Sequence, residues 1–422
     1  MRGPTIALLG LGTVGSAVAR RLLGPPPLLV ARLGGLPRLK WVLVRDPRKP
    51  RAVAVDPDLL TTDAERVLAD PEVDVVIELM GGVEPARQYL RTALAAGRHV
   101  ITANKALLAE GLPELVATAR RSGAELAFEG AVAGGVPIIR PLLRCLAANR
   151  VRRLRAVLNG TCNYVLTLAE QGVDLDTAVR AAQEAGYAEA DPSDDLSGSD
   201  AARKLAILAM LITGEPVDWR SIPRTGIDGP DFRRALAGTA ARAAGMARAG
   251  GAPGGGSAGD GGAAGAGGAA ARGAGTGTGG AAGGAARGRF LRVPGPGGRG
   301  GAPGRAWAAP APPWAASPWP RWRLVASGEW EGGTARLSVR PELLPPGDPL
   351  LQAAGVENMI LIEADPVGVV RFAGPGAGGD ATASAVLADL INIWRGERLP
   401  LAVAGEPTGD AAREPGLAAT GD

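Results

Sequence analysis

The chain of 422 residues is predicted to be an α/β protein, and three observations carry that reading. Short apolar runs alternate with helix-patterned segments from residue 5 to about 130. A Gly-x-Gly-x-x-Gly loop follows the first of these runs. The rhythm then changes near residue 137. Strands that are apolar along their whole length and separated by helices belong to a parallel sheet covered on both faces. The strands read as TIALLG, LKWVLV, VDVVIELM, RHVITA and ELAFEG, and GTVGSAVARRLL, EPARQYLRTALAAG and LPELVATARRSG read as helices. GPPPLLVARLGGLP, dense in Pro and Gly, reads as a lengthened connection.

The loop GLGTVG spans Gly10 to Gly15 and opens the first helix. In that context Gly10 permits the tight turn, Gly12 lets the backbone approach a pyrophosphate, and Gly15 permits close packing of helix on strand. With Thr13 and Val14 it forms a helix N-terminus whose amides and dipole suit phosphates. Residues 1–135 are therefore expected to be a Rossmann-type dinucleotide-binding domain. The second strand ends in Arg45 and Asp46, where the adenine ribose would lie. An acid there suits the 2′-hydroxyl of NAD and an arginine the 2′-phosphate of NADP. The balance favours NADP, with NAD possible. Leu79 to Gly81 should reach the sheet edge beside the cofactor.

Beyond residue 136 the pattern mixes strands and helices, as expected of an α+β substrate and dimerisation domain. Its first part is 136–232. PIIRPLLRCLAAN reads as a helix carrying Cys145, and VRRLRAVLNG as a strand ending in an Asn-Gly turn. Residues 233–322 are dominated by Ala, Gly, Pro and Arg, with Asp260 their only acid, so they are expected to be a disordered insertion. Strands resume over 323–372, a glycine loop and helix over 373–396 return to the first domain, and 397–422 form a tail.

A net charge of +4 and an arginine-rich tract lacking regular repeats and interleaved aromatics make a nucleic-acid partner unexpected. Two cysteines, Cys145 and Cys162, exclude a disulfide framework. The absence of a signal-like N-terminus and of any apolar run near 18 residues points to a cytoplasmic protein without a membrane span.

Only four of the 46 basic residues are lysines: Lys40, Lys49, Lys105 and Lys204. A lysine can lose its proton, which a guanidinium practically cannot. Lys40 and Lys49 read as incidental. Lys105 sits just past a strand, at the carboxyl end of the sheet where open α/β folds bind ligands. Lys204 closes the acidic stretch EAGYAEADPSDDLSGSDAARK, with Asp200 one helical turn before it. A nicotinamide enzyme needs a group to move a proton at the substrate oxygen while hydride moves at carbon. If Lys105 and Lys204 converge, each disfavours the other's charge and lowers a lysine pKa. Glu189, Asp195 and Asp200 could bind a substrate ammonium and orient Lys204. The single histidine, His99, begins a buried strand and reads as structural, as do both cysteines.

The segments GLGTVG, TANKALLA, FEGAVAGGVPIIRPL, LNGTCNYVL, AGYAEADPSDDLSGSDAARKLAILA and GPGAGGDATASAVLADL, in that order, resemble homoserine dehydrogenases. The resemblance covers about 5–230 and 322–394. It implies interconversion of L-homoserine and L-aspartate 4-semialdehyde, with Lys204 as proton donor, Lys105 touching cofactor and substrate, and Glu189 on the amino group. It further implies a sodium or potassium ion held by Glu129, Val132, Gly134 and Val136, a second nicotinamide-nucleotide contact at Gly376, and a homodimer. Threonine feedback through an appended regulatory domain is not expected. Two alternatives stay open at this point: a nucleic-acid-binding protein acting through the Arg-Gly tract, and an inactive product of a disrupted reading frame.

Overall fold

The computed structural model describes residues 2–249 and 319–401. The first half of the chain runs β1 (Thr5–Leu9), α1 (Thr13–Leu23), α2 (Pro27–Leu33), β2 (Arg38–Leu43), β3 (Leu60–Thr61), α3 (Ala64–Ala69) and β4 (Val75–Glu78). It continues through α4 (Ala86–Ala95), β5 (His99–Thr102), α5 (Lys105–Ser122) and β6 (Leu126–Ala127). The six strands form one parallel sheet in the order β3-β2-β1-β4-β5-β6. Ile6 to Leu9 and Val75 to Ile77 are fully buried, which accounts for their unbroken apolar runs.

Three local expectations are corrected. Pro27–Leu33, expected as loop, is the helix α2, because Pro27 sits at the first helical position, where its missing N–H costs nothing. ELAFEG contributes only a two-residue strand, and the equally short edge strand β3 carried no readable period. Asn159 and Gly160 do not make a turn: Asn159 caps a helix that Gly160 begins.

The second half comprises β7 (Arg150–Val157), α6 (Gly160–Glu170), α7 (Leu175–Glu184), α8 (Ser193–Leu196), α9 (Ser199–Thr213), α10 (Pro230–Ala249), β8 (Arg321–Glu331), β9 (Thr334–Leu344), β10 (Glu357–Asp365), β11 (Gly368–Pro375) and α11 (Gly379–Trp394). Its five strands are antiparallel in the order β11-β10-β7-β8-β9. Helices α6 and α9 pack on β8, while Val157, Val325, Leu344, Leu350, Met359 and Leu361 form a smaller core of their own. Helix α11 returns to lie on α1, and α5 packs on α9, so both sheets belong to one unit.

Helix α10 continues to Ala249 and β8 starts at Arg321, so the segment expected to be disordered is ordered at both ends. Trp322 at the return packs edge-on against Phe232, and its indole N–H donates to Thr239 Oγ1 of α10. The rest of that insertion, 250–318, and most of the tail lie outside the described residues. Cys145, expected in an apolar helix, is exposed at the end of a short wide turn, Pro141–Cys145. Among the described residues no helix is long and apolar enough to cross a membrane.

Candidate active site

Helix α9 begins after Gly198, whose left-handed backbone (φ 80°) turns the chain sharply into it. One helical turn separates Asp200 from Lys204, so both side chains leave the same face. They meet Lys105, the first residue of α5, which is placed by the cap that Asn104 Oδ1 makes with the Leu107 amide. Lys204 Nζ lies 2.8 Å from Asp200 Oδ2, and Lys105 Nζ lies 2.9 Å from Asp200 Oδ1. One carboxylate thus bridges two ammonium groups brought by different halves of the molecule. Asp200 is 3% exposed and Lys204 8%, whereas the Lys105 side chain is 40% exposed.

For Lys105 the bridge overturns the expectation of a lowered pKa. Burial by itself would push the Asp200 carboxyl up, yet the Lys204 and Lys105 ammoniums hold it well below the ordinary carboxylate range. Asp200 in turn raises Lys105, outweighing the opposing effect of burial. Lys204 Nζ also donates to the Leu158 carbonyl at 2.7 Å. Two of its three N–H donors are therefore committed, leaving one for a reacting oxygen.

Sequence reasoning missed Asn159, which holds the acidic side of this cluster together. Its Nδ2 donates to Asp195 Oδ1 at 2.7 Å and to Asp200 Oδ2 at 2.9 Å, while its Oδ1 accepts from the Cys162 amide. The available signal was an asparagine between an apolar strand and a helical pattern, a capping position as much as a turn. Burial, then repulsion from Asp200, raises the Asp195 carboxyl. Cys162 donates its S–H to the Asp195 carbonyl, and burial pushes its thiol well up, so it is no nucleophile. Glu189 is not drawn into the cluster. It is exposed between α7 and α8, and its carbonyl accepts from Gln183. His99 is structural, its Nδ1 accepting from the Glu125 amide.

A groove of about 1080 Å³ runs along the carboxyl end of the parallel sheet, lined by Gly10, Gly12, Thr13, Arg45, Leu79 to Gly82 and others. Its volume leaves room for a dinucleotide. A Cβ on Gly10 would come within 2.6 Å of the Leu79 carbonyl and one on Gly15 within 2.3 Å of the Gly10 carbonyl, whereas above Gly12 the space is open. Val14 and Gly15 are not among the lining residues. Gly15 serves packing, as its expected role required. At the second strand's end Arg45 and Asp46 are joined by Lys49 and Arg51, so Lys49, read as incidental, belongs to the groove. Lys40 also has a partner, Asp70, at 2.6 Å.

The wall of the groove is tied to the lysine cluster through a second residue that sequence reasoning missed. Glu78, fully buried at the end of β4, accepts from the amides of Met80 (2.7 Å) and Gly81 (3.3 Å), from Thr102 Oγ1 (2.6 Å) and from Asn104 Nδ2 (3.4 Å). Asn104 Nδ2 reaches the Gly82 carbonyl as well, at 2.6 Å. The turn that lines the groove and the start of the Lys105 helix are therefore one hydrogen-bonded piece.

In the loop after β6, the Glu129 carboxylate accepts the amides of Ile138, Ile139 and Arg140, and the Glu129 amide donates to buried Asp389. Ala133 and Gly134 both have positive φ, 56° and 55°. A Cβ on Gly134 would stand 2.5 Å from the Gly376 carbonyl, which puts this loop directly against the late glycine loop.

A glycine-lined groove at the carboxyl end of the sheet and a lysine pair on one carboxylate agree with the class in which the family matches place the chain, NAD(P)-dependent oxidoreductases acting on a CH–OH group. The family profile described as "Homoserine dehydrogenase, NAD binding domain" matches residues 10–129, and that described as "Homoserine dehydrogenase" matches 137–279 and 311–391. The chain belongs to the homoserine dehydrogenase family. It is 36% identical to a homoserine dehydrogenase of Synechocystis over 92% of this chain and 72% of the relative, and 31% identical to one of Bacillus subtilis over 94% and 75%. The crystal structure of a homoserine dehydrogenase from Thiobacillus denitrificans superposes with a TM-score of 0.72 at 30% identity, covering 96% of this chain and 80% of that one.

Proposed function

We propose that the chain interconverts L-homoserine and L-aspartate 4-semialdehyde with NADP as the favoured nicotinamide, and that Lys204 is the proton donor. The observation that carries this is the Lys105–Asp200–Lys204 bridge. When bound, the reduced nicotinamide supplies the hydride to the aldehyde carbon. Lys204, steadied by Asp200 and the Leu158 carbonyl, directs its remaining N–H at the aldehyde oxygen and delivers the proton as the alcohol forms. Lys105, the more exposed of the two lysines, stabilises negative charge developing on that oxygen. Asp195 supplies an acceptor for the substrate ammonium, with Glu189 reaching it from the exposed rim. Reversing the sequence oxidises the alcohol.

Arg45, Lys49 and Arg51 at the ribose end support NADP over NAD, since an anionic 2′-phosphate gains what a hydroxyl does not. Gly10, Gly12 and Thr13 would hold the pyrophosphate and Gly376 the nicotinamide half. Glu129, Val132, Gly134 and Val136 would hold the sodium or potassium ion, several of them through backbone carbonyls, since oxygen donors suit a hard cation and the Glu129 carboxylate is taken up by three amides; among the described residues no cluster of three or more His, Cys, Asp or Glu suits a transition metal. By the family resemblance the enzyme is a cytoplasmic homodimer, joined through the second domain, serving threonine and methionine biosynthesis.

The test is NADP-dependent oxidation of L-homoserine by purified protein. Lys204→Ala is expected to lose about three orders of magnitude or more in kcat while still binding NADPH. Near-normal turnover in that variant would remove Lys204 from the role.

A further inference from the structure

The Leu158 carbonyl that receives Lys204 Nζ has a second donor. Asn358, fully buried near the start of β10, points its Nδ2 at the same oxygen from 3.1 Å. Its own Oδ1 is buried without a hydrogen-bond partner, which is uncommon in folded proteins, so the side chain is held by packing as well as by its one bond. What holds it is the late glycine loop. A Cβ built on Gly376 would stand 2.2 Å from both Cγ and Oδ1 of Asn358, so the amide lies flat against the bare α-carbon of Gly376. Gly376 does not have positive φ, so this contact, and no backbone requirement, excludes a side chain there. The same loop continues to Gly379, where a Cβ would be 3.1 Å from the Thr13 carbonyl of the phosphate-binding turn. Asn358 therefore touches the loop that closes on the cofactor groove and shares an acceptor with the lysine of the cluster.

Building on the reading of Lys204 as proton donor, we propose that Asn358 is a positioning residue. Its amide fixes the Leu158 carbonyl, and through it the Lys204 ammonium, in register with the Gly376 loop. With the Asn358 donor removed, the Leu158 carbonyl can swing toward Lys204 alone. The ammonium then follows it away from the reacting oxygen, while the groove itself is untouched. A displacement of this kind acts on the chemical step more than on binding.

Asn358→Leu keeps the volume and removes the donor. It is expected to lower kcat about ten- to fiftyfold with the KM for NADP within about twofold, and to raise the solvent deuterium isotope effect on kcat as proton transfer becomes slower. Gly376→Ala reaches the same amide from the other side. Its methyl must drive Asn358 off the Leu158 carbonyl, so kcat falls comparably and the KM for NADP also rises. The pair Gly376→Ala with Asn358→Ala makes room for the methyl, so the KM for NADP recovers while kcat stays low. Wild-type kcat and isotope effect in Asn358→Leu would overturn the proposal. If that variant does not fold, Gly376→Ala decides: unchanged kcat there overturns it, and so does a double variant whose cofactor KM fails to recover. Should Lys204→Ala itself keep its turnover, the proton-donor reading has failed. A dead Lys204→Ala beside a normal Asn358→Leu rejects this inference alone.

Discussion

Replacing Asp200 with asparagine removes one negative charge from between two ammonium groups and scarcely changes the size of the side chain. The carboxylate accepts from Lys105 at 2.9 Å, Lys204 at 2.8 Å and Asn159 at 2.9 Å, in a residue 3% exposed. Removing one partner of a buried ion pair typically costs about 3–5 kcal/mol. Here the loss falls chiefly on Lys204, since Lys105 is 40% exposed and can turn to solvent. An estimate of about 3 kcal/mol, at roughly 2–4 °C per kcal/mol, lowers Tm by about 6–12 °C. Turnover should fall further than stability, by about two to three orders of magnitude, because the lysine that delivers the proton loses its orienting partner. The assay pairs thermal unfolding with steady-state oxidation of L-homoserine. Adding Lys204→Met to the variant deletes the buried cation left unpaired and should recover part of the Tm without recovering turnover. Asp200→Asn with a Tm within 2 °C of wild type and turnover within about threefold would refute the bridge as the organising feature of the site.

Three further outcomes are expected. Arg45→Ser should raise the KM for NADP by about tenfold or more and leave that for NAD nearly unchanged, the loss of one charge-assisted hydrogen bond, read from kinetics with both cofactors. Asp70→Asn tests a pH dependence. The Asp70 carboxyl is held at about 2 against an ordinary 3.8, because hydrogen bonds from Lys40 and Trp41 outweigh the opposing effect of burial. A depressed carboxyl contributes stability that is present above its unfolded value and is lost as pH falls through the folded one. The variant should therefore cost about 1–2 kcal/mol in urea unfolding at pH 7, a penalty that shrinks between pH 4 and pH 2. Glu78→Leu strands the Met80 amide and the Thr102 hydroxyl in the core and should cost about 3 kcal/mol, whereas Glu78→Gln, which keeps an acceptor, should cost less than half of that, as equilibrium unfolding will show.

Local order was legible where one period or one residue type decides it. The buried strands β1 and β4 announced themselves as unbroken apolar runs, and Gly10, Gly12 and Gly15 as a glycine spacing between a strand and a helix. The scarcity of lysine singled out Lys105 and Lys204, and the helical repeat put Asp200 beside Lys204. Helix α2 was hidden because prolines at a helix start look like prolines in a loop. The end of α10 was hidden because Ala, Gly and Arg carry little apolar periodicity.

The sequence by itself determined the fold class, the groove and the identity of the two lysines, since each depends on spacing along one element. The tertiary structure alone decided that Asp200 stands between those lysines, that Asn159 joins Asp195 to Asp200, and that Lys105 is raised where mutual depression was expected. It also decided that Glu189 stays outside the cluster and that Glu78 and Asn358 brace it. These facts depend on groups from β4, β10, α5, α8, α9 and the turn before α6 meeting within about 3 Å, the reach of a hydrogen bond. Such meetings are set by how two sheets pack together, and no periodicity along the chain encodes them.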